Sequence, residues 1–127
     1  MGNHNLVYVI DDDELVRGAI DMLLTDEGFV VETYASAVDF FRAGLPSGKG
    51  CVLTDLQMPG GLTGLDILRK IVKPALGWPV IIMTAAATEK ARETASRSGA
   101  FDFLEKPFGS EALIGAVRNA VESLNAA

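Results

Sequence analysis

A chain of 127 residues, 49% hydrophobic and 22% charged, has the length and composition of one compact soluble domain with a real core. Its net charge of −6 argues against direct binding to nucleic acid or anionic membrane and suits a site that gathers a cation. The single cysteine, Cys51, excludes an internal disulfide and lies in an apolar run, which reads as a buried structural thiol.

The opening Met1-Gly2-Asn3-His4-Asn5 lacks a basic region followed by an apolar stretch, so no signal peptide is predicted, and His4 reads as a solvated residue. No apolar run approaches a membrane span, and a cytoplasmic location is the expectation. Leu6 to Ile10 is a first strand, followed by Asp11, Asp12, Asp13 and Glu14. Leu15, Val16, Ala19, Ile20, Leu23 and Leu24 recur at helical spacing, and Gly28 is the stop. Val30 to Tyr34 admits Glu32 and Thr33, the looser pattern of an edge strand. Ser36 and Asp39 have capping-box form ahead of Phe40 and Phe41. Cys51 to Thr54 is an apolar strand that ends on Asp55. Leu65, Leu68, Ile71 and Val72 mark a third helix, ended near Pro74 and Gly77. Val80 to Thr84 is a fourth strand, and Glu89 to Ser98 a polar, Ala-rich helix stopped by Gly99. Phe101 to Leu104 is a fifth strand ahead of Lys106-Pro107. A last helix opens at Ser110 with Leu113, Ile114, Val117, Val121 and Leu124 on one stripe.

A strand followed by a helix, five times over, predicts a parallel sheet with helices on both faces, and residues 1–127 read as a single domain. Ligands of such a sheet bind outside the carboxyl ends of its strands. Those ends carry Asp11 and Asp12, then Asp55, Thr84 and Lys106. Taken alone, Asp11 and Asp12 read equally well as cap or ligand, Thr84 as a turn hydroxyl and Lys106 as a surface lysine. Taken together they read as a cradle for a phosphoryl group and a hard cation, with Mg²⁺ the natural choice for oxygen-only donors. Asp55 is the acid that could carry an aspartyl phosphate. Asp13 and Glu14 read as the charged start of the first helix.

The segments VYVIDDDELV, VLTDLQMPGG, VIIMTAA and GAFDFLEKPF, in this order and spacing, resemble the receiver domain of two-component response regulators. The resemblance runs from Val7 to Val121 and is greatest to transcriptional regulators with helix-turn-helix output domains. It implies a flavodoxin-like (βα)5 fold with strand order 2-1-3-4-5. It makes Asp55 the phospho-acceptor, served by a histidine kinase or a histidine phosphotransfer protein, in a reaction needing Mg²⁺ or, in its place, Mn²⁺. Asp12 would bind the metal directly and Asp11 mostly through water, with Asp55 and the Gln57 backbone carbonyl as further ligands. Lys106, ahead of an expected cis Lys106-Pro107 bond, would pair with Asp55 and then with the phosphoryl group. Thr84 would hydrogen-bond the phosphoryl oxygen, and Phe103 would move with it. The face made by the fourth helix, fifth strand and fifth helix would then repack, control an output such as transcription, and support a homodimer. Gln57 and Ala86 occupy positions that tune phosphate lifetime, and Met58 to Gly64 is one residue longer than the commonest family form. Three other readings compete: a stand-alone shuttle or protein-binding switch, a phosphate-independent interaction module, and a small Mg²⁺-dependent phosphohydrolase. The last would usually have an acid at the position of Gln57. A signalling domain rather than an enzyme acting on an external substrate is therefore expected.

Overall fold

The computed structural model describes residues 5–43, 48–58, 63–72 and 77–126. Its elements run β1 (Leu6–Ile10), α1 (Glu14–Asp26), β2 (Val30–Tyr34), α2 (Ala37–Arg42), β3 (Cys51–Asp55), α3 (Gly64–Val72), β4 (Val80–Thr84), α4 (Glu89–Arg97), β5 (Asp102–Glu105) and α5 (Ser110–Ala126). The strands form one parallel sheet in the order β2-β1-β3-β4-β5. This is the flavodoxin-like order expected from the family resemblance.

Strand alternation divides the interior into two cores. Val7, Val9, Leu53, Ile81 and Met83 point toward α1 and α5. Tyr8, Ile10, Val52, Val80 and Ile82 point toward α2, α3 and α4. Burial on both faces is why these strands are apolar throughout. On the second face, Tyr8 stacks on Trp78 with ring centroids 5.7 Å apart and meets Phe40 edge-on at 5.6 Å. The Tyr8 hydroxyl donates to the Gly48 carbonyl, so the phenol does not enter the core unsatisfied. Cys51 is buried and its thiol is pushed up to about 12 by burial, as a structural thiol should be.

Local signals act where they were expected. Asp13 caps α1 by accepting from Leu15 N at 3.0 Å and Val16 N at 3.2 Å, and Ser36 caps α2 by accepting from Asp39 N at 3.1 Å. Gly28 and Gly99 follow their helices at φ 96° and 97°, where side chains are disfavoured. Two expectations need correction. The apolar face of α1 is narrower than its sequence suggests: Ile20 and Leu24 are buried, but Leu23 is 38% and Leu15 85% exposed, because the sheet covers only one strip of the helix. The fifth strand is shifted by one residue. Phe101 donates its N–H to Val80 O and stays 42% exposed, while Asp102 begins the ladder opposite Ile81. Asp55 closes β3, where the sequence put the acid at the strand end, and still pairs with Met83. The additional residue expected between Met58 and Gly64, the turn at Pro59-Gly60-Gly61 and the stop at Pro74 lie outside the described residues.

Candidate functional site

Strand register assembles the site. Ile10 lies opposite Thr54, so Asp11, one residue on, comes beside Asp55; Thr84 lies opposite Glu105, so Lys106 follows beside it. The Lys106 amide donates to Thr84 O at 2.8 Å, and the Leu56 amide to Met83 O at 2.8 Å, which carries the ladder past the strand ends. The Lys106-Pro107 bond is cis.

Asp11 is fully buried, and each of its acceptors is engaged. One carboxylate oxygen accepts from Asp13 N at 2.9 Å and the other from Lys106 Nζ at 2.7 Å, while its carbonyl accepts from Arg17 Nη1 at 2.8 Å. Lys106 reaches Asp55 at 3.5 Å, so the expected pair with Asp55 exists but the tighter partner is Asp11. Asp12 is exposed and Asp55 part-buried, and carboxylate oxygens of Asp11, Asp12 and Asp55 lie within 4.8 Å of one another. Such a set of hard, anionic oxygens fits Mg²⁺. Burial, with Asp11 and Asp12 adding to it, raises the Asp55 carboxyl above the usual range against the opposing pull of Lys106. Burial alone would lower Lys106, but its hydrogen bond to Asp11 and the charge of Asp55 leave it raised.

Thr84 is almost fully buried at the end of β4, and its hydroxyl oxygen accepts from Ala86 N at 3.0 Å. Phe103 lies on β5, half-buried against the Tyr8 core. Gln57 and Ala86 are both exposed at the rim. Arg17 was missed in the sequence because nothing in its spacing distinguishes it from a solvated helix residue. An apolar groove of about 350 Å³, lined by Val16, Ile20, Leu23, Pro107, Phe108 and Leu113, opens between α1 and α5 next to Lys106.

Gly64 packs closely against the end of β3. A Cβ there would lie 2.5 Å from Asp55 O and 3.1 Å from Leu56 Cα, contacts only a backbone shift can relieve. Gly64→Ala is therefore expected to cost about 1–3 kcal/mol, measured as a lower denaturant midpoint. A variant with the wild-type midpoint would contradict the close packing.

Parallel order, an acid cluster and a facing lysine together describe more than a fold. The model of the response regulator receiver domain matches residues 7–118. This chain belongs to the response regulator receiver family. The receiver is 42% identical over 112 residues to the transcriptional regulatory protein FixJ of Azorhizobium caulinodans, covering 88% of this chain and 53% of that protein. It is 35% identical to the transcriptional regulatory protein TdiR of Thauera aromatica, over 98% of this chain and 54% of the relative. The receiver thus spans about half the length of these two regulators. Among solved structures, FixJ-N superposes with a TM-score of 0.82 at 34% identity, covering 96% of each chain. No helix among the described residues is long and apolar enough to cross a membrane.

Proposed function

We propose that this receiver accepts a phosphoryl group on Asp55 from a histidine kinase or histidine phosphotransfer protein and thereby switches a transcriptional output in the cytoplasm. On this reading residues 1–127 are one receiver domain. The observation that carries the proposal is the close set of Asp11, Asp12, Asp55 and Lys106: three acids whose oxygens approach within 4.8 Å, with an ammonium 2.7 Å from one and 3.5 Å from another.

An Asp55 carboxylate oxygen attacks the phosphorus of a phosphohistidine, the new O–P bond forms as the P–N bond breaks, and the imidazole leaves. Asp11, Asp12, Asp55 and the Gln57 carbonyl would hold Mg²⁺, with Mn²⁺ able to replace it; the ion supplies positive charge to the phosphoryl oxygens. Lys106 shifts its ammonium from Asp11 toward the phosphoryl group, which brings about −1.5 to −2 of charge. The Thr84 hydroxyl hydrogen has no acceptor among the described residues and turns toward a phosphoryl oxygen. Its inward movement makes room for Phe103, and the face of α4, β5 and α5 repacks, where a second copy can pair with it. Gln57 and Ala86, exposed on either side of the acceptor, set how readily water reaches the phosphate.

The test is incubation with a small-molecule phosphodonor and Mg²⁺, followed by borohydride reduction and mapping of the modified residue. Label at position 55 is expected. No uptake, or label elsewhere, would sink the proposal. The apolar groove beside Lys106 offers the docking surface for the protein donor, because it adjoins the acceptor without covering it. Leu23→Lys puts a charge on that groove, and transfer from the donor protein should fall by about tenfold or more. Uptake from the small-molecule donor should not change; equal losses with both donors would count against docking there.

A further inference from the structure

We propose that Arg92 is a positioning residue for the switch, a latch that holds Phe103 in its unphosphorylated setting and ties α4 to β5. The guanidinium carbon lies 4.8 Å from the centroid of the Phe103 ring, inside the range in which a cation is attracted to an aromatic face. The same guanidinium reaches Glu105 at 3.6 Å, two residues along the strand and next to Lys106. One side chain of α4 therefore grips both the ring that moves and the residue preceding the phosphate-binding lysine.

The grip matters because little else fastens α4. Ala95 is the one fully buried residue of that helix; Ala91 and Thr94 are partly buried, and the other residues of Glu89–Arg97 are polar and exposed. A helix with so few and such small buried side chains takes much of its position from contacts such as this one. Rotation of Phe103 takes the ring face from the guanidinium, and the helix loses an attachment in the same event. The latch thus opposes switching before phosphorylation and converts ring movement into helix movement after it. The inference rests on the reading of Phe103 as the moving aromatic.

The test uses ¹⁹F NMR of the whole chain carrying 4-fluorophenylalanine at its six phenylalanines, with Phe103→Leu to assign the resonance. Beryllofluoride with Mg²⁺ serves as the phosphoryl mimic. In wild type the Phe103 signal is expected to shift on adding the mimic. In Arg92→Gln, without mimic, the population in the shifted environment should rise about two- to fivefold, the range expected of an exposed cation–π contact. The mimic concentration at half-response should fall by the same factor. Arg92→Lys, which keeps the cation, should restore part of the wild-type behaviour, and Glu105→Gln should give a smaller shift than Arg92→Gln. Loss of a merely structural contact would lower the melting temperature without moving these populations. A Phe103 signal that responds equally in wild type and Arg92→Gln overturns the latch alone. A wild-type Phe103 signal indifferent to the mimic overturns the switch reading, and the latch with it.

Discussion

Asn in place of Asp55 is expected to abolish phosphoryl uptake and, at neutral pH without metal, to raise the melting temperature. Loss of uptake follows from chemistry: an amide is not the nucleophile that a carboxylate is. The gain in stability follows from electrostatics. Asp55 is raised above the ordinary carboxylate range first by burial and further by Asp11 and Asp12, and Lys106 only partly offsets this. An acid whose folded pKa exceeds its unfolded value binds its proton more tightly in the fold, so ionising it costs stability. That penalty is absent below the unfolded value, grows as pH rises and is complete above the folded value. Asparagine removes it. Thermal melts at pH 7 with a chelator test the sign, and a variant less stable than wild type would refute it. Mg²⁺ should then stabilise wild type more than the variant, because the variant has lost one ligand.

Lys106→Met is expected to cost about 2–3 kcal/mol of stability at pH 7, since removing one partner strands a buried charge. Asp11 is fully buried and would lose its 2.7 Å partner, keeping the Asp13 amide on its other oxygen. Residual exposure of the lysine, 18%, places the figure below that of a wholly buried pair. The raised lysine contributes its stabilisation fully below its unfolded pKa and loses it only as strongly alkaline pH passes the folded value. Chemical denaturation measures the loss, and Asp11→Asn in the Lys106→Met background should recover much of it. Without that recovery, the cost belongs to packing of the lysine stem and not to the stranded carboxylate. Phosphoryl transfer should fall sharply in Lys106→Met with either donor, in contrast to the donor-selective effect at Leu23.

The sequence made the strands and their ends legible because strand alternation, buried runs and capping signals are short-range. Asp13, Ser36 and Gly28 act within a few residues of where they stand, and the structure places them as their chemistry suggests. What escaped was set between elements. The exposure of Leu15 depends on how much of α1 the sheet covers, and helical spacing carries no record of that. The start of β5 escaped because Phe101 is apolar yet stays 42% exposed and outside the ladder, which side-chain hydrophobicity does not record. The site residues were named from strand ends and family likeness, but the preference of Lys106 for Asp11 over Asp55 needed coordinates. So did the contacts of Arg17 and Arg92, since a helical arginine looks the same whether it faces water or a carbonyl.

The stack of Trp78 on Tyr8 has a practical consequence. Trp78 is the one tryptophan of the chain, 5% exposed and set parallel to the Tyr8 ring at 5.7 Å. Its emission is therefore a built-in optical probe of the β1–β4 interior: blue-shifted while that stack is sheltered, red-shifted when water enters. The melts and denaturant titrations above can be read by fluorescence from unlabelled protein, with no dye placed near Asp55.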